Sequence, residues 1–115
     1  MKKVLIAEDN ESNYLLTSTI LKGKYDVCRA INGLEAVDKI ATEQPDIVLM
    51  DWKMPIMDGL EATLKIREFN TEIPIIALTA YAFDSDKQQA LAAGCNDFMT
   101  KPIKIKELLS TLEKY

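Results

Sequence analysis

Apolar residues fall into two alternating textures along this chain. Short unbroken runs, Val4-Leu5-Ile6-Ala7, Ile47-Val48-Leu49-Met50 and Ile75-Ile76-Ala77-Leu78, read as strands buried on both faces. Between them, apolar positions recur at helical spacing. Residues Ser12 to Lys22 set Leu15, Leu16, Thr19 and Ile20 on one face and stop at Gly23. Leu34 to Thr42 do the same with Leu34, Val37 and Ile40 or Ala41, and the stretch from Gly59 to Phe69 with Leu60, Leu64 and Ile66 or Arg67. Asp84 to Ala93 run to a stop at Gly94, and Lys104 to Lys114 carry Ile105, Leu108, Leu109 and Leu112. Two less apolar segments, Tyr25 to Ala30 and Asn96 to Thr100, read as edge strands. This alternation predicts one α/β domain over residues 1–115. Its expected architecture is a flavodoxin-like (βα)5 fold, a doubly wound parallel five-stranded sheet in strand order 2-1-3-4-5.

Composition narrows the chemistry. The net charge of −4 lacks the basic excess that phosphate backbones require, so direct nucleic-acid binding is not expected. With no histidine, the commonest general base and transition-metal ligand is missing. Cys28 and Cys95 stand far apart without metal-type spacing and read as reduced, buried thiols. Only four apolar residues follow Met1-Lys2-Lys3, too few for a signal-peptide core, and no run is long enough to span a membrane. A cytoplasmic protein is expected.

The polar residues that end the strands then acquire meaning. The first strand ends on Glu8 and Asp9, the third on Asp51, the fourth on Thr79 and the fifth on Lys101. In a parallel sheet these termini share one edge, where open α/β sheets build their sites. Singly, each is an ordinary cap or surface residue; together they make three carboxylates, a hydroxyl and an ammonium converge. Three close carboxylates repel, and a hard divalent cation such as Mg²⁺ offsets that repulsion. Mg²⁺ with Lys101, Thr79 and loop amides suits a phosphoryl group, whose transfer depends on positioning and charge neutralisation. Asp51, alone at the centre of the sheet, is the candidate nucleophile, forming an aspartyl phosphate. Glu8 and Asp9 hold the metal in this reading.

The segments Ala7-Glu8-Asp9-Asn10, Asp51-Trp52-Lys53-Met54-Pro55, Met57-Asp58-Gly59, Ile75-Ile76-Ala77-Leu78-Thr79-Ala80, Ala93-Gly94 and Lys101-Pro102 resemble, in order and spacing, the receiver domain of two-component response regulators. The resemblance covers essentially the whole chain and looks most like stand-alone receivers or those of hybrid histidine kinases and phosphorelays. It implies that Asp51 is the phosphoacceptor and that Asp9 binds Mg²⁺ directly, with Mn²⁺ able to substitute. Glu8 would assist through water, and the Lys53 backbone carbonyl would complete the protein ligands. Lys101 would pair with the phosphoryl group and make a cis bond to Pro102. Thr79 and Phe98 would form the switch; Phe98 stands where the family often has Tyr, so no hydroxyl fixes its inward and outward states. Lys53 and Tyr81 would tune phosphoryl lifetime, the bulk of Tyr81 implying slow self-dephosphorylation. Implied partners are a histidine kinase or histidine phosphotransfer protein and a downstream protein target at the surface around Phe98, with a monomer as the expected state. Turnover as an enzyme is not expected beyond Mg²⁺-dependent self-phosphorylation and slow self-dephosphorylation. Nothing follows the last helix, so a stand-alone receiver or a fragment of a larger chain is expected.

Three rivals fit less well. A phosphatase with an aspartyl nucleophile needs a second Asp two residues on, where this chain has Lys53. A flavodoxin-like FMN protein needs a phosphate-cradling first loop, but here that loop carries Glu8 and Asp9. A receiver-like adapter that is not phosphorylated would be expected to have lost one of the five key residues, and all five are present.

Overall fold

The computed structural model describes residues 1–80 and 83–115. Within them the chain alternates β1 (Lys3–Ala7), α1 (Glu11–Leu21), β2 (Asp26–Ala30), α2 (Gly33–Glu43), β3 (Ile47–Asp51), α3 (Gly59–Arg67), β4 (Ile75–Thr79), α4 (Asp84–Ala93), β5 (Asp97–Thr100) and α5 (Ile105–Glu113). The strands pair in parallel in the order β2-β1-β3-β4-β5, as the alternation predicts. Each right-handed crossover must place its helix on one face of the sheet or the other. Two cores result. Leu5, Val48, Met50, Ile75 and Ala77 meet Ala36 and Ile40 of α2, Ala62 and Ile66 of α3, and Ala90 of α4. On the opposite face Val4, Ile6, Ile47, Leu49, Ile76 and Leu78 meet Leu21 of α1 and Leu108 and Leu112 of α5. The period-two split of each strand between the cores explains why the strand sequences are apolar without interruption.

The helices correct part of the sequence reading. In α1 the inward residues are Thr17 and Leu21, with Tyr14 and Ile20 packed beside them, while Leu15 and Leu16 are about half exposed and Thr19 faces solvent. In α2 the buried residues are Gly33, Ala36 and Ile40, and Leu34 and Ala41 point outward. In α3 they are Gly59, Ala62, Thr63 and Ile66, and Leu64 is exposed. In α5 Leu108 and Leu112 are buried as expected, but Ile105 is exposed and Thr111 takes an inward place. Small side chains let a helix lie close to a sheet, so Ala, Gly and Thr occupy contacts that a count of leucines misses. Cys28 is only half-buried, against expectation; Cys95 is buried beside Thr63, and both thiols are free. No helix among the described residues is long and apolar enough to cross a membrane.

Candidate functional site

The carboxyl ends of the strands carry the site. Asp51 is the last residue of β3, level with Leu78 of β4, and is 5% exposed. Beyond it the chain must leave the sheet, because Pro55 cannot donate to a ladder. The turn is held by Trp52 N–H donating to Leu78 O at 2.8 Å and Gly59 N–H donating to Trp52 O at 3.1 Å. Asp58 then caps α3 by accepting from Glu61 N–H. Gly59 is required here, since a Cβ on it would lie 2.4 Å from the Asp51 carbonyl oxygen.

Glu8 and Asp9 leave the end of β1, where Glu8 N–H donates to Ala30 O at 2.9 Å. Asn10 closes the turn by capping α1, accepting from Asn13 N–H at 2.9 Å. Glu8 is buried and Asp9 exposed. Carboxylate oxygens of Glu8, Asp9 and Asp51 all lie within 4.8 Å of one another. From β5, Lys101 N–H donates to Thr79 O at 2.7 Å, and its ammonium lies 2.8 Å from Glu8 Oε1 and 3.1 Å from Asp51 Oδ1. The Lys101-Pro102 peptide is cis, as the resemblance implies. Glu8, Asp9, Asp51, Lys53, Thr79 and Lys101 line one cleft of about 280 Å³.

The electrostatics are those of a crowded acid pair. Burial, and then the neighbouring Glu8 carboxylate, push the Asp51 carboxyl up to about 7, with Lys101 opposing. Burial also works against ionised Glu8, but the hydrogen bonds from Asp51 and Lys101 and the Lys101 charge hold it below its usual range. Burial would lower Lys101, yet its bond to Glu8 and the charge of Asp51 raise it. Lys101 thus bridges Glu8 and Asp51, and a cation bound beside Asp51 would favour its ionised form. Oxygen donors only, close together, fit Mg²⁺.

The two remaining expected residues are Phe98 and Tyr81. Phe98 does not line the cleft; it is half-buried on β5 against the core shared by α2, α3 and α4. Tyr81 lies outside the described residues. One residue beside the site went unnoticed in the sequence. Arg29 of β2 donates to the carbonyl oxygens of both Glu8 and Asp9. A lone arginine on an edge strand gives no sequence signal of that.

Residues 4–113 match the response regulator receiver domain family. The chain is 38% identical over 117 residues to the polar-differentiation response regulator DivK of Brucella anthropi, covering 99% of this chain and 95% of that protein. It is 40% identical over 119 residues to hybrid signal transduction histidine kinase G of Dictyostelium discoideum, covering 98% of this chain but only 4% of that protein. Among solved structures it resembles the receiver domain of the Pseudomonas aeruginosa sensor histidine kinase PA1611, with a magnesium ion coordinated in the active site cleft (TM-score 0.91, 36% identity, 99% of this chain and 96% of that one). It also resembles the receiver domain of Saccharomyces cerevisiae Ssk1 in complex with the histidine phosphotransfer protein Ypd1 (TM-score 0.93, 33% identity, 99% and 88% covered). The matched family spans nearly every residue from β1 to the end of α5, and the chain belongs to the response regulator receiver domains of two-component signalling.

Proposed function

We propose that Asp51 accepts a phosphoryl group from a phosphohistidine of a histidine kinase or histidine phosphotransfer protein. The observation that carries this reading is the buried Asp51 carboxylate 3.1 Å from the Lys101 ammonium, with the oxygens of Glu8 and Asp9 within 4.8 Å. In the reaction an Asp51 oxygen bonds to phosphorus as the phosphorus–nitrogen bond breaks, and the imidazole departs with that electron pair. Asp9, Asp51 and the Lys53 carbonyl would hold Mg²⁺, with Glu8 assisting. Mg²⁺ supplies neutralisation of the phosphoryl oxygens' charge. Lys101 pairs with one of those oxygens, which requires it to exchange its present bonds to Glu8 and Asp51 for the new anion. Thr79, buried at the end of β4, and Phe98 on β5 form the switch. The surface around Phe98 meets the downstream target, and the domain works as a monomer in the cytoplasm without touching nucleic acid.

Beryllofluoride with Mg²⁺ tests the site directly. A change in Trp52 fluorescence that needs both ions and disappears in Asp51→Asn is expected; an equal change in that variant contradicts the assignment. Lys53 and Tyr81 set the phosphoryl lifetime in this reading. Tyr81→Ala should shorten the decay of phosphorylated Asp51, and an unchanged or longer decay would contradict it.

A further inference from the structure

We infer that Arg29 is a positioning residue for the metal-binding turn. Its guanidinium fixes the backbone of Glu8 and Asp9, and so sets where the Asp9 carboxylate meets a divalent cation. This rests on the Mg²⁺ site proposed above.

Arg29 is the penultimate residue of β2, opposite Ile6 of β1. From there its side chain reaches across to the β1–α1 turn. Nε and Nη2 donate to Glu8 O at 3.2 and 3.1 Å, and Nη2 also donates to Asp9 O at 3.4 Å. Nη1 donates to Glu11 Oε2 at 2.6 Å, and the guanidinium carbon lies 4.4 Å from the centroid of the Tyr14 ring. One carboxylate, one aromatic face and two carbonyls therefore fix the plane of the guanidinium. The side chain is only 21% exposed. The carbonyl of Arg29 itself accepts from Lys39, tying the strand end to α2.

The turn needs such a brace. Asp9 is exposed, and the direction of its carboxylate follows the backbone of residues 8 to 10. That backbone carries acids crowded against Asp51, and their mutual repulsion works against this arrangement of the turn. A rigid fork can hold two successive carbonyls and a carboxylate at once; a lysine ammonium is a point charge and cannot span them. Charge and geometry here have opposite signs. The cationic charge of Arg29 repels Mg²⁺, so its removal alone would tighten binding. Loss of the brace loosens it.

Mg²⁺ titrations of the full chain, the Arg29→Lys and the Arg29→Gln variants decide between these, read by calorimetry and by Trp52 fluorescence below the metal-free melting temperature of each. Both variants are expected to bind Mg²⁺ about tenfold more weakly or worse, the usual consequence of removing support from behind a metal ligand. Faster hydrogen exchange at the Asn10 and Glu11 amides of metal-free Arg29→Lys should accompany the loss. Wild-type affinity in Arg29→Lys, or tighter binding in Arg29→Gln, overturns the inference. So does a loss that vanishes on cooling, which is ordinary destabilisation. If Arg29→Gln does not fold, Arg29→Lys decides alone. A wild type that binds no Mg²⁺ removes the underlying site and this inference together; a binding wild type with an unaffected Arg29→Lys removes the inference only.

Discussion

Asp51 is buried where ionisation is costly, and that cost is measurable as a pH dependence. Its carboxyl is raised from 3.8 to about 7 by burial and by Glu8. A raised acid binds its proton more tightly in the folded state. Its contribution to stability is therefore whole below about pH 4 and is lost as pH climbs through about 7. The loss is on the order of a few kcal/mol for a group this sheltered. Glu8 runs the other way, its depressed value adding stability above the ordinary carboxylate range and losing it on acidification. Asp51→Asn removes the first effect. In metal-free buffer the variant should melt well above wild type at pH 8 and close to it at pH 5, and a gap that is constant with pH would contradict the assignment. Saturating Mg²⁺ should narrow the gap by raising the wild type, by about 2.7 kcal/mol at a hundred times the Kd.

At the scale of elements, strands and helices were not equally legible. A strand buried on both faces must be apolar throughout, so β1, β3 and β4 and the acid ending β3 could be read to within a residue. Glycines likewise marked helix ends at Gly23, Gly59 and Gly94. The helix faces could be read from leucines only in part, as for Leu108 and Leu112 of α5. α1 turns Thr17 and Leu21 to the sheet and leaves Leu15 and Leu16 half exposed, because a close helix–sheet approach selects small residues and apolar residues remain common outside. Urea denaturation makes the difference visible. Leu21→Ala should cost about 2–5 kcal/mol as a buried truncation. Leu15→Ala and Leu16→Ala should each stay within roughly 1 kcal/mol, and equal costs at the three positions would contradict the packing. The same sequence reading could mark Gly59 as a helix start but not show that its Cα packs against the Asp51 backbone. Gly59→Ala must displace that backbone, and should destabilise by about 1–3 kcal/mol and weaken Mg²⁺ binding together. A variant of unchanged stability would show the turn to be looser than its geometry.

For the whole molecule, topology does what no local sequence does. Glu8 and Lys101 are far apart in the chain, yet their side chains meet at 2.8 Å, because parallel strands deliver every carboxyl end to one edge. Strand order could be inferred from the alternation together with which strands are most apolar, so the meeting of Glu8, Asp9, Asp51, Thr79 and Lys101 was legible in the sequence. The brace from Arg29 was not, because it depends on a side chain from an edge strand reaching a neighbouring turn. Phe98 sits on β5 opposite Ala77 of β4, in the strand pair that also carries Thr79. All of this turns on Asp51 being the atom donor that captures phosphorus. The most direct measurement is the intact mass of the protein after incubation with acetyl phosphate. A gain of one phosphoryl group that requires Mg²⁺, maps to Asp51 and is absent from Asp51→Asn is the expected result. No gain with Mg²⁺ present, or a gain that persists in Asp51→Asn, would contradict the account.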